Sequence, residues 1–147
     1  EAVLAKLADR AGQRLRLCGL LAGEVVVIVG RRDGAPSFVC RRRFEEPIDD
    51  TFILHRVVAE LLASYWHGEN VNFLAVTLSD LRVPTHQLRL GGIREQTCFF
   101  VMRSLDAICS RYGASSVFLG RLFPVIHTDD APDRIGFRKV EGIDDAQ

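Results

Sequence analysis

Between Ala2 and Leu17 the apolar residues Val3, Leu4, Leu7, Ala8, Ala11 and Leu15 recur at helical spacing, with Lys6, Arg10 and Arg14 elsewhere on the wheel. The spacing predicts a helix that Cys18-Gly19 ends, since glycine is the usual residue past a helix C-terminus. The period then changes. Val25-Val26-Val27-Ile28-Val29 is a β-branched run that reads as a well-covered strand. Arg31-Arg32-Asp33-Gly34-Ala35-Pro36 has turn chemistry and Ser37 to Phe44 resumes as strand, so the two runs predict a hairpin.

Pro47-Ile48-Asp49-Asp50-Thr51 offers N-cap residues to a second helix. Its apolar positions are Ile53, Leu54, Val57, Val58, Leu61, Leu62, Tyr65 and Trp66, and Gly68 stops it. Val71 to Leu81 predicts a third strand, with Val71, Phe73 and Ala75 alternating before Val76 and Leu78 shift the phase. A loop with Pro84 and Gly91-Gly92 leads to a third helix, Arg94 to Tyr112, whose apolar side carries Cys98, Val101, Met102, Leu105, Ile108 and Cys109. Val117-Phe118-Leu119 predicts a short fourth strand, and from Pro124 no period holds.

The order α-β-β-α-β predicts an α+β fold: a split βαβ-like antiparallel or mixed sheet with helices on one face, then an extra helix, a short strand and an extended tail. A full split βαβ sheet would need one more strand before residue 1. The chain opens as a helix entered partway with no initiator Met, so a fragment of a longer protein is expected. The expected parts are a core over residues 1–83, a loop over 84–93, a trailing helix and strand over 94–123 and an acidic tail over 124–147.

Composition is that of a globular protein, with 48% hydrophobic and 26% charged residues. No apolar run approaches the roughly 20 residues of a membrane span, and the opening EAVLAKLADR does not read as a signal peptide. Cys18, Cys40, Cys98 and Cys109 lie in apolar patterns without CxxC spacing, so buried free thiols and a reducing cytoplasm are expected. The net charge of zero averages unlike regions. From Arg10 to Arg43 there are eight Arg against Glu24 and Asp33, whereas the tail from Asp129 is acidic. Such asymmetry points to a localised polyanion contact.

Catalytic motifs are missing. His55, His67, His86 and His127 form no metal-ligand spacing, and there is no HExxH, GxSxG, GxGxxG or GKS/GKT sequence. The acidic pairs Glu45-Glu46, Asp49-Asp50 and Asp129-Asp130 sit at a helix entry and in a polar tail, where capping and solvation account for them. Ser104-Leu105-Asp106 is followed by Ala107 in mid-helix, and is not a catalytic element.

Arginines flank the hairpin: Arg31 and Arg32 at its turn, and Arg41, Arg42 and Arg43 along its second strand. Alternation sends Arg41 and Arg43 to one face and Arg42 to the other. Arginines along a strand can follow a phosphate backbone, or can simply protect a sheet edge. In the loop, Gln87-Leu88-Arg89-Leu90 could dock as a short extended peptide, or its leucines could fold back on the domain.

Three stretches resemble the little finger, the C-terminal domain of Y-family (ImpB/MucB/SamB-type) translesion DNA polymerases. EAVLAKLADRAGQRLRLCGLLAGEVVVIV is similar to its opening helix and strand, and PIDDTFILHRVVAELLASYW running into VNFLAVTLSDL to its second helix and final strand. QLRLGG followed by the LDAICSRYG helix resembles the sliding-clamp-binding peptide and trailing helix of bacterial members, with Leu90-Gly91 in place of the commoner Leu-Phe ending. The resemblance implies a noncatalytic domain that grips duplex template-primer DNA by backbone contacts. It makes Arg31, Arg32, Arg41, Arg42 and Arg43 the candidate phosphate binders, and Gln87, Leu88 and Leu90 the candidate clamp contacts. It implies a bacterial, nucleoid-associated cytoplasmic protein, no small-molecule ligand and no cofactor in this chain, with Mg2+ used by palm carboxylates elsewhere in the parent polymerase. A second expectation is an interaction module of an inactive polymerase paralogue that binds the clamp rather than DNA.

Overall fold

A computed structural model of the chain describes residues 2–32, 37–68, 70–84, 93–113, 116–118 and 120. Six elements follow in order: α1 (Ala2–Leu17), β1 (Leu21–Arg31), β2 (Phe38–Ile48), α2 (Thr51–Tyr65), β3 (Val71–Arg82) and α3 (Ile93–Tyr112). The strands form one antiparallel sheet in the order β2-β1-β3. The parallel strands β2 and β3 thus flank β1 and are joined through α2, which is the split βαβ unit that the pattern predicts.

Local chemistry fixes the ends. The Leu20 amide donates to the Leu15 carbonyl at 3.1 Å and the Gly19 amide to Arg16 at 3.0 Å, with Gly19 at φ 65°, so α1 closes in a Schellman turn. Asp50 caps α2, its carboxylate accepting from the Phe52 amide at 2.7 Å and the Ile53 amide at 3.4 Å. Pro47, expected in the helix lead-in, instead lies within β2. That strand is an edge of the sheet, where a missing N–H breaks no ladder. The pairing slips there, with Glu24 opposite Arg43 but Ala22 opposite Ile48.

Val25, Val27 and Val29 are fully buried and pack with Leu4 and Ala8 of α1, Cys40 of β2, and Val57, Val58, Leu61 and Leu62 of α2. Burying a side chain of this size stabilises by roughly 1.5–3 kcal/mol, so this cluster dominates the fold energetically. The phase shift in β3 is a bulge at Asn72: Arg31 pairs with Val71 and Gly30 with Phe73. Leu74, Val76 and Leu78 join Val71 against the core, while Phe73 and Ala75 face the other side, so the phase changes directly after Val71 rather than after Ala75 as predicted. Tyr65 and Trp66 are exposed where α2 ends.

Gly12 sits where α1 and α2 touch. A Cβ there would lie 2.7 Å from Thr51 Oγ1 and 3.3 Å from both Leu54 Cδ1 and Arg16 Nη1. Arg16 extends this contact to α3. Its Nη1 donates to Thr51 Oγ1 at 2.6 Å and to the Asp49 carbonyl at 2.9 Å. Its Nε and Nη2 donate to the Asp106 carboxylate at 2.6 and 3.0 Å, with side chains only 6% and 17% exposed. Burial pushes the Asp9 and Asp49 carboxyls above the ordinary range, and the Arg16 charge opposes that shift in both. Asp106, in the mid-helix Ser104-Leu105-Asp106 segment, is thus a structural anchor.

On α3, Met102 is buried, but Val101 and Ile108, expected on the apolar side, are exposed. The covered stripe is the one that follows Met102 and Asp106, one turn apart. Val117 and Phe118 are not strand: the Val117 carbonyl accepts from the Cys109 thiol at 3.2 Å, which turns the chain back along α3. Leu119 and the tail from Pro124 lie outside the described residues. Cys40 is a buried free thiol as expected, whereas Cys18 is exposed at the end of α1 and Cys109 is half-buried. Among the described residues, no helix is long and apolar enough to cross a membrane.

Three outcomes follow from these contacts. Gly12→Ala should lower stability in denaturant by roughly 1 kcal/mol, because crowding against the buried Thr51 outweighs the helix propensity gained. Arg16→Met should cost about 3 kcal/mol and speed amide exchange in α3, because Asp106 is left without its buried partner. The double variant Arg16→Met/Asp106→Leu should regain much of that loss.

Candidate nucleic-acid interface

Both helices of the core lie on one side of the sheet, and among the described residues no helix packs on the other side. Cross-strand register arranges that open face in rows: Arg43–Glu24–Ser79, Arg41–Val26–Thr77, Val39–Ile28–Ala75, and Gly30–Phe73. Arg41 and Arg43 are exposed. They sit two residues apart on one strand, or roughly 6.8 Å along an antiparallel strand. The centre of the face is apolar or small, with Val26, Ile28 and Ala75.

The polar end of the face holds a charge network. The Glu24 carboxylate accepts from Ser79 Oγ at 2.9 Å and from Arg43 Nε at 3.2 Å. These bonds, the Ser79 hydroxyl first and the Arg43 guanidinium second, hold the Glu24 carboxyl below its ordinary range. Beside it, Arg82 Nη2 and Nε donate to Asp80 at 2.7 and 3.2 Å, and this pairing lowers the Asp80 carboxyl likewise. Asp80 adopts φ 51°, and its carboxylate folds over Gly23, where a Cβ would collide with it. Gly23, Glu24, Arg43, Phe44, Asp80 and Arg82 line a shallow groove at this end.

The arginine candidates separate. Arg41 and Arg43 are brought together on the open face. Arg42 points to the helix side, 3.8 Å from Glu60 of α2, which Arg56 also approaches at 4.0 Å. Arg31 is half-buried with its Nε inside the protein, and Arg32 is exposed at the hairpin end, its amide donating to the Asn70 carbonyl at 2.9 Å. Gln87, Leu88 and Leu90 lie outside the described residues, as does the turn over 33–36.

Sequence reasoning missed Glu24, Ser79, Asp80 and Arg82 as neighbours of the arginines. The alternation of β1 already placed Glu24 on the side opposite Val25, but only strand pairing puts it between Arg43 and Ser79. With three guanidiniums and two carboxylates, the face is weakly rather than strongly basic. Among the described residues, no His, Cys, Asp and Glu cluster is suited to a metal ion.

A sequence-family model described as the impB/mucB/samB family C-terminal domain matches residues 1–90, which takes in α1 through β3. No curated protein matches the chain.

Proposed function

The chain belongs to the impB/mucB/samB C-terminal domain family, the little finger of Y-family polymerases, and from that membership we propose that its open sheet face grips duplex DNA through the phosphate backbone. The family ties the chain to translesion synthesis and DNA repair. The observation that carries the proposal is the pairing of exposed Arg41 and Arg43 on a sheet face that no helix covers among the described residues. Guanidinium forks suit phosphate oxygens, and a face that reads backbone alone is sequence-tolerant. Arg42 and Arg31, turned toward the helix side or inward, would contribute less than Arg41 and Arg43. Arg32, at the hairpin end, would extend the contact along the duplex.

Fluorescence anisotropy with a labelled primer-template duplex tests this. Affinity should fall as salt rises, and Arg41→Ala/Arg43→Ala should weaken binding on all sequences and flatten the log–log salt slope by about 2. An unchanged affinity and slope would remove this face from the DNA contact.

Gln87-Leu88-Arg89-Leu90, separated from the end of β3 by four residues in sequence, further supports docking on a sliding clamp, with Gln87 hydrogen-bonding and Leu88 and Leu90 filling a pocket. Gln87→Ala/Leu90→Ala should abolish clamp co-elution and leave duplex binding intact. Firm clamp binding with negligible DNA affinity would instead favour the interaction module of an inactive paralogue.

A further inference from the structure

We propose that Glu24 is a positioning residue for DNA: anchored by Ser79, it holds Arg43 through Nε and aims the two Nη groups of the guanidinium at a backbone phosphate. The inference rests on the proposed DNA contact of the open face and adds to it a residue of the opposite charge.

The geometry of the pair is asymmetric. The Glu24 side chain is 12% exposed and the Arg43 side chain 83%. Each carboxylate oxygen has its own donor, Oε2 from Ser79 on one neighbouring strand and Oε1 from Arg43 on the other. Glu24 is thereby fixed from both sides of β1. Arg43 spends only its Nε on this bond, so the Nη1 and Nη2 edge, which can still make a bidentate phosphate contact, stays toward solvent. An exposed arginine that bound phosphate unaided would lose its rotamer freedom at that moment, whereas Arg43 has lost part of it beforehand. Arg41 lies opposite Val26, and its charge acts on Glu24 through space. The other charged groups at this end, Asp80 and Arg82, are bonded to each other. The hydrogen bonds from Ser79 and Arg43 hold the Glu24 carboxyl below its ordinary range.

The sign of one mutation separates positioning from plain repulsion. A carboxylate on a polyanion-binding face weakens binding by Coulomb's law, so a merely repulsive Glu24 predicts tighter binding when it is removed. Positioning predicts the reverse. In the full chain, Glu24→Ala should weaken binding to a labelled primer-template duplex roughly fivefold. Glu24→Gln should restore at least wild-type affinity, since the amide oxygen can accept from Arg43 Nε and the amide nitrogen can donate to Ser79. In an Arg43→Ala background, Glu24→Ala should cause no further loss. Ser79→Ala should show a smaller loss in the same direction, which keeps the idea testable if Glu24→Ala melts early. Wild-type or tighter binding by both Glu24→Ala and Ser79→Ala would overturn the inference while leaving the DNA contact standing, provided Arg43→Ala still weakens it. So would an equal loss from Glu24→Ala with and without Arg43. Were Arg43→Ala itself silent, the inference would fall, and were Arg41→Ala/Arg43→Ala also silent, the DNA reading of this face would fall with it.

Discussion

Val25, Val27 and Val29 are driven under two helices, and that burial sets nearly everything else in the molecule. A strand alternates sides, so once these three valines face the core, Glu24, Val26 and Ile28 must face away. Because β1 is the central strand, its choice of side is passed through the ladder to both neighbours. Arg41 and Arg43 follow Val26 and Glu24 outward, and Arg42 follows Val25 inward. A one-residue slip would exchange the two sets and place two arginines against the apolar core, which makes this register costly to violate. The proposed DNA face is therefore a by-product of where the hydrophobic face had to go.

The arginines divide by the dielectric they sit in. Arg16 is almost wholly buried and bonded to Asp106, Thr51 and the Asp49 carbonyl, so its charge is spent in joining α1, the start of α2 and α3. Removing either partner of such a pair strands a charge away from water, and its value is better described as specifying how α3 sits than as adding net stability. Arg42 and Glu60 are both about half exposed, and a pair of that kind contributes little. Arg43 is intermediate: its partner is nearly covered while it remains in water. The basic excess between Arg10 and Arg43 is thus an overestimate of what a polyanion would meet.

Much of the fold was legible from the chain. The bounds of α1, the Asp50 cap of α2, the hairpin and the one-sided placement of helices followed from period and capping chemistry, which are local. The opposite facing of Arg41 and Arg42 also followed, since it needs only alternation. The misreadings have a common cause. The bulge at Asn72, the extension of β2 through Pro47, the exposed Val101 and Ile108 on α3, and the bend at Val117 each depend on what lies across from the residue rather than beside it in sequence. Gly12 is the point where two helices touch, and nothing beside it in sequence marks that contact.

By itself the sequence determined the element order, the apolar faces and the arginine-rich hairpin, because these rest on periodicity and on residue types that act over a few positions. Only the tertiary structure decided which arginines remain available and which acids stand beside them. The separations in chain length between Arg16 and Asp106, or between Glu24 and Ser79, carry no local signal. A long-range pair becomes readable only when packing has fixed the register that brings its members within hydrogen-bonding distance.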